Sequence, residues 1–368
     1  MTPSNKPTAP GASRREFLAG IAAATGGLTL AGGSLLAQNQ KARRIDVHHH
    51  FVPDAYFAYQ QRHDMARVNA WSLSKDLDDM DRFGTETAML SITQPAFNRG
   101  EREEVRKVAR ECNDAAAKLV SDKPTRFGNF AGLPFLDIDG SLKEIEYSFD
   151  KLKADGVCLI SSYGDIWLGN SMFAPIYDEL NRRKAVVYVH PTAPNCCGNL
   201  PILKDGVPNE GAMIEYGTDT TRTIASVIFS GTGKRYPNIT WIFSHAGGTM
   251  PFLIERFFQY GTSAEVVPGI TTKGQGVGIS GTQMPGVEVL AQIRRYYYDT
   301  AQASNPVAMD ALKKVVRTSQ IVYGTDYWYR TAEETSRGLM TAKVFNAQEM
   351  QAVDRGNAQR ILPRLKGK

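Results

Sequence analysis

The sequence predicts a closed parallel α/β barrel of eight strands, (β/α)8, from three observations. Eight short runs of apolar, β-branched or aromatic residues alternate with longer amphipathic ones. Strand followed by helix, repeated, implies right-handed crossovers and a parallel sheet. Four histidines and one aspartate stand at the C-terminal ends of such runs. In a barrel, that is where side chains from different strands converge on one pocket. A doubly wound open sheet is the structural rival, but it gives histidines on strands one, five and six no reason to meet.

The strands are expected at Arg44–Phe51, Glu86–Ile92, Phe127–Pro134, Gly156–Ser161, Ala185–His190, Ile239–His245, Arg295–Asp299 and Gln320–Asp326. Each is nearly continuous in apolar character, as strands buried on both faces should be. Helices are expected between them at Ser74–Phe83, Glu101–Ser121, Ser141–Ala154, Met172–Arg183, Thr221–Tyr236, Thr249–Phe258 and Pro306–Arg317. Ala332–Thr341 and Ala347–Leu362 then close the chain as helices. Two long loops, Pro191–Asp219 and Gly261–Gln292, break the rhythm. Loops of that length usually carry function or mobility.

The N-terminus reads as an address. Ser13-Arg14-Arg15-Glu16-Phe17-Leu18 is a twin-arginine pattern, followed by a mildly apolar stretch from Ala19 to Ala37. Paired arginines, an apolar core and small residues near a cut describe a bacterial export signal. The five glycines between Leu18 and Leu36 make the stretch weakly apolar for a membrane anchor. We therefore expect residues 1–37 to be a signal peptide, residues 38–368 to be a single barrel domain, and the mature protein to be periplasmic without a stable membrane span. The net charge of +5 over 368 residues is too mild, and too unclustered, for a nucleic-acid partner. Of the four cysteines, Cys112 and Cys158 read as small buried apolar residues. The adjacent Cys196 and Cys197 allow a vicinal disulfide in an oxidising compartment.

On a strand, alternate side chains share a face. In Asp46-Val47-His48-His49-His50, His48 and His50 therefore point into the barrel and His49 points outward. Asp46 reads as a hydrogen-bonding support, and His63, among polar neighbours, as solvent-exposed. His190 and Asp326 supply third and fourth donors, and a His3Asp set suits Zn2+, or Mn2+ and Fe2+ if the site is more open. Each of these residues taken alone reads more simply as an ordinary histidine or a turn aspartate. An H-x-H on strand one, histidines on strands five and six and an aspartate on strand eight are hard to obtain together by accident.

These motifs make the chain resemble the amidohydrolase superfamily, in the branch of aminocarboxymuconate-semialdehyde decarboxylase and related non-oxidative decarboxylases. The resemblance runs from about Arg44 to Leu362. It rests on Ile-Asp-Val-His48-His-His50-Phe, Val-His190-Pro, Ser-His245-Ala-Gly-Gly, Tyr-Gly-Thr-Asp326-Tyr and Gly356-Asn-Ala-Gln-Arg-Ile-Leu. Trp71-Ser72 and Met80-Asp81-Arg82-Phe83-Gly84 are similar to hydroxybenzoate decarboxylases of the 6-methylsalicylate type. The resemblance implies that His48, His50, His190 and Asp326 hold one divalent metal, and the donor set makes zinc the first expectation and manganese the second. The resemblance also implies that His245 is an acid/base beside the metal, with Asp326 as the other candidate for that role, and that the assembly is a homodimer. Dinuclear relatives carry a carboxylated lysine at the end of strand four. Here that strand reads Gly156-Val-Cys-Leu-Ile-Ser-Ser162, which favours a mononuclear site. Arg67 is the one candidate for a substrate-binding arginine.

The function expected on this reading is metal-dependent, non-oxidative decarboxylation of a small aromatic or unsaturated carboxylic acid. The first rival is hydrolysis of a lactone, ester or amide by metal-activated water, and the second is a non-catalytic binding barrel. Candidate pocket walls are Trp71, Phe51, Tyr163, Trp167 and Tyr327 or Trp328, each equally readable as core.

Overall fold

The computed structural model describes residues 42–65, 71–197, 211–259, 265–267, 270–271 and 286–366. Eight strands form one sheet in sequence order: β1 (Arg44–His50), β2 (Thr85–Ser91), β3 (Phe127–Gly132), β4 (Gly156–Ile160), β5 (Val186–His190), β6 (Thr240–Phe243), β7 (Tyr297–Asp299) and β8 (Ile321–Val322). Every neighbouring pair is parallel. The ring closes between β8 and β1: Val47 N donates to Tyr323 O at 3.0 Å, Asp326 N to His48 O at 2.9 Å and His50 N to Tyr327 O at 2.9 Å. This is a (β/α)8 barrel. All eight strands fall where the sequence places them, and β1, β3, β4 and β5 are buried along their whole length.

The helices deviate more. Asp54–Arg62 is helical although its pattern is weak; two tyrosines one turn apart, Tyr56 and Tyr59, bury its core face. Gly286–Ile293 is a helix inside the stretch expected to be loop. The helix expected from Thr221 starts at Tyr216 and stops at Phe229, before Gly231 takes a left-handed φ of 78°. The last expected helix is three pieces, Ala347–Gln351, a π turn at Ala352–Gly356, and Asn357–Ile361. His63 is only partly exposed: it packs on the Tyr59 ring at 4.8 Å and bonds Glu104 at 3.0 Å. Cys112 and Cys158 are buried and free, and Cys196 is disulfide-bonded.

Among the described residues no helix is long and apolar enough to cross a membrane. The C-terminal pieces floor the barrel. Ala358, Leu362 and Leu365 pack with Ile45 and Val47, and the buried Arg44 bonds Asp354 at 3.0 Å.

The helix after β1, Leu73–Phe83, is capped by Ser72 and ends at Gly84 with φ 74°. Its Asp79 accepts from Ala332 N at 3.1 Å, tying it to the helix Ala332–Ala342. Burial pushes the Asp79 carboxyl up to about 6. A raised carboxyl pKa disfavours the charged form in the folded state. Its destabilising effect is therefore absent below the unfolded value of 3.8, grows as pH rises, and is complete above about 6. Asp79→Asn keeps the acceptor and removes the charge. Urea unfolding is expected to find it equal to wild type at pH 4 and more stable at pH 8 by about 1 kcal/mol, since water still screens part of the group.

Candidate metal centre

The strand ends bring four of the expected side chains to one point. His48 Nε2 and His50 Nε2 are 3.1 Å apart, and each is 3.1 Å from Asp326 Oδ1. His190 Nε2 is 3.9 Å from the same oxygen. One donor atom from each of His48, His50, His190 and Asp326 lies within 4.8 Å of all the others, and all four residues are buried. Alternation along β1 does what the sequence predicts: His48 and His50 face this cluster, while His49 turns to Asp76 on the helix Leu73–Phe83, 2.9 Å away.

The hydrogen bonds fix which ring nitrogens point inward. His190 Nδ1 donates to Pro191 O at 2.7 Å, and a carbonyl only accepts. His48 Nδ1 donates to Asp299 Oδ2 at 2.8 Å. Ser91 Oγ donates to His49 O, so at 3.1 Å it accepts from His50 Nδ1. With every Nδ1 bonded outward, three imidazoles turn Nε2 on one focus beside a carboxylate oxygen, and each offers a lone pair there once the ring is neutral. Lone pairs do not hydrogen-bond each other. His190 Nε2 and Asp326 Oδ1 accordingly have no partner although both are buried. A divalent cation satisfies all four, and the spacing suits it: donors 2.0–2.1 Å from a tetrahedral ion lie roughly 3.4 Å apart.

The electrostatics favour the neutral form at two of the three rings. Burial lowers His190 to about 3 and also lowers His50, holding both in the neutral form that ligates. At His48 burial again opposes charge, but the Asp299 and Asp326 carboxylates outweigh it and raise the ring to about 10. Uptake of a cation must therefore displace a proton from His48. Burial alone would raise Asp326; His48, His190 and His245 hold its carboxyl well below the usual range.

His245 stands on the open side. It stacks on His48 with ring centres 5.1 Å apart, and its Nε2 lies 3.5 Å from Asp326 Oδ2. It keeps some contact with solvent, whereas the four donors have almost none. His245 and Asp326 both hold left-handed backbones, φ 54° and 68°. Such conformations cost of order 1–3 kcal/mol each and persist where the surroundings enforce them. Gly324 is required by space: a Cβ there would lie 2.8 Å from His48 Cβ and 2.9 Å from Asp299 Cβ.

Sequence reasoning missed Asp299, Gln302 and Ser91. Asp299, fully buried at the end of β7, orients His48 and also accepts from His245 N at 2.8 Å and Ala301 N at 3.0 Å. Its signal is an aspartate ending an apolar strand, as Asp326 does one strand later. The Gln302 amide donates to Asp326 Oδ2. Removing the support of a ligand histidine typically costs 10–100-fold in metal affinity. Asp299→Asn is expected to lose about that much in a competitive chelator titration while staying folded.

The expected pocket aromatics divide. Phe51 and Tyr163 are core residues, and Trp71 packs against the core with its indole N–H on Asp76. Trp167 donates to the buried Asp219 at 2.7 Å, and Tyr327 backs His49. Trp328 faces the His50 ring at 6.2 Å, joined there by Tyr329 at 6.3 Å, which is half exposed. Tyr216 lies 6.3 Å from His190. Arg67 falls outside the described residues.

A parallel barrel with this donor set at its C-terminal rim defines a metal-dependent barrel enzyme. The amidohydrolase family model matches residues 45–364, and the chain belongs to that family. It is 34% identical over 339 residues to 6-methylsalicylic acid decarboxylase of Penicillium expansum, covering 88% of this chain and 97% of that one. It is 26% identical over 199 residues to 2-amino-3-carboxymuconate-6-semialdehyde decarboxylase of Dictyostelium discoideum, about half of each chain. Among solved structures, 5-carboxyvanillate decarboxylase from Sphingomonas paucimobilis superposes with a TM-score of 0.75 at 20% identity, covering 88% of this chain and 99% of that one.

Proposed function

We propose that the substrate is a small ortho-hydroxylated benzoate of the 6-methylsalicylate type, and that His48, His50, His190 and Asp326 hold the ion while His245 and Asp326 move the proton. The reaction is metal-dependent, non-oxidative decarboxylation, and the enzyme is a carboxy-lyase of the amidohydrolase superfamily. The observation that carries this reading is the convergence of three Nε2 lone pairs and Asp326 Oδ1, in a chain whose relatives across nearly its full length are named decarboxylases.

Loss of CO2 from an aryl acid leaves an electron pair on a ring carbon. Protonating that carbon first lets the breaking C–C bond restore aromaticity instead. A bound divalent ion supplies Lewis acidity toward the carboxylate and the ortho oxygen. Asp326 turns Oδ1 to the three imidazoles and Oδ2 to His245 and Gln302. The same carboxylate thus serves the ion and stands next to His245, the second group assigned to proton transfer. Trp328 and Tyr329 offer flat faces beside His50 for an aromatic ring.

The donor set suits zinc, and manganese bound to dihydroxybenzoic acid decarboxylase of Polaromonas, a fold relative with a TM-score of 0.71, supports manganese as well. Residues 1–37 are assigned as a twin-arginine export signal and 38–368 as one barrel domain acting in the periplasm; the family match starting at Ile45 supports that boundary. Changing Arg14 and Arg15 together to lysine should then hold the protein in the cytoplasmic fraction. A homodimer is the proposed assembly, tested by light scattering.

Purified metal-loaded enzyme, given hydroxybenzoates and lactones separately, tests the reaction. CO2 release from a salicylate supports the reading. Acid formation from a lactone without CO2 overturns it in favour of hydrolysis. His245→Ala with unchanged turnover would remove the assigned role of His245.

A further inference from the structure

We infer that the middle histidine, His49, is a positioning residue that sets the orientation of Asp326 through Asp46 and Tyr327, without touching the reactants. The proposal rests on the metal reading above for Asp326 but not on the identity of the substrate. His49 faces away from the ion site and is 2% exposed. A position between two ligands, on the helix-facing side of a barrel strand, ordinarily takes an aliphatic residue. Here both ring nitrogens meet carboxylates: Nδ1 lies 3.0 Å from Asp46 Oδ2, and Nε2 lies 2.9 Å from Asp76 Oδ1. A buried polar network of this kind is costly unless fully paired, and when paired it specifies one geometry.

The network ends on both flanks of Asp326. On the near side, Asp46 Oδ1 accepts from Thr325 N at 3.1 Å and Oδ2 from Thr325 Oγ1 at 2.6 Å. The Thr325 hydroxyl in turn accepts from Tyr327 N at 3.0 Å. On the far side, the Tyr327 ring lies flat on the His49 ring, 4.6 Å between centres and 12° between planes, and the two residues form a parallel backbone bridge. Thr325 and Tyr327 thus clamp the left-handed residue between them. At its outer end the chain is anchored in the helix Leu73–Phe83, where Asp76 Oδ2 accepts from the Trp71 indole N–H at 2.9 Å. One continuous path therefore runs from Trp71 through Asp76, His49 and Asp46 to the turn that presents the fourth donor.

The test uses full-length protein loaded with Co2+, whose visible absorption reports ligand geometry, in wild type, His49→Leu, His49→Gln and Asp76→Asn. His49→Leu is expected to bind about one ion per chain but to shift the cobalt spectrum. It should also lower kcat at least about tenfold with KM nearly unchanged, as misplacement of a reacting group does. His49→Gln, which keeps one hydrogen-bonding end, should recover part of both. A folded His49→Leu with the wild-type spectrum and kcat, differing only in melting temperature, overturns the proposal in favour of a purely structural role. If His49→Leu does not fold, Asp76→Asn decides: a smaller shift of the same kind supports the proposal and a wild-type spectrum overturns it. The spectrum needs no substrate, so a shift in an enzyme that decarboxylates no hydroxybenzoate upholds the positioning role while the functional reading falls.

Discussion

Chelation is expected to abolish decarboxylation and to lower the unfolding midpoint, and about one equivalent of Zn2+ or Mn2+ per chain should restore both. Three imidazole nitrogens and a carboxylate oxygen face one another in a buried site. Each buried polar atom left without a partner costs about 1–3 kcal/mol, and removing the ion leaves several at once. By mass action, an ion present at 100 times its dissociation constant stabilises the fold by about 2.7 kcal/mol. The stoichiometry is a separate commitment. Where a bridging lysine would stand at the end of β4, this chain has Ser161 and Ser162, and both hydroxyls are taken by Asp219. Elemental analysis finding two ions per chain would refute the mononuclear site.

Asp326→Asn should have the second large effect. The substitution preserves shape, so the barrel should fold with an unchanged circular dichroism spectrum. It removes the negative donor from the ion and the charge that faces His245 Nε2 at 3.5 Å. It also sets an amide against the Gln302 amide that now donates to Oδ2. A positioned proton donor or acceptor contributes about 10²–10⁴-fold to rate, so at saturating metal we expect kcat to fall by about 10³. Three histidines remain, and metal binding should weaken without disappearing. Retention of a tenth of wild-type turnover would show that Asp326 holds the ion but moves no proton, leaving His245 to act alone.

The barrel was legible because its strands are buried on both faces, so that each reads as an apolar run such as Val186-Val187-Tyr188-Val189 ending at a functional residue. The donor set was legible because His48 and His50 are two residues apart and the others end strands. The partners of those residues were not. His48 and Asp299 are 251 positions apart, and a lone aspartate after three tyrosines has no local mark of what it bonds. Aromatic residues failed for a related reason. Tyr163 and Tyr329 look alike in sequence, yet one is 4% exposed in the core and the other 48% exposed near His50. Only the assembled fold decides between them. The helix Asp54–Arg62 escaped because two tyrosines, not a stripe of aliphatic residues, bury its inner face.

The barrel floor has a consequence for the order of events in the cell. Tyr323 N donates to Val353 O at 3.0 Å, and Ala358 and Leu362 are wholly inaccessible beneath β1. Strand one thus waits for partners some 310 positions later in the chain before its underside is covered. Co-translational folding can build partial layers, but the four donors cannot meet around a cation before Asp326 has been made.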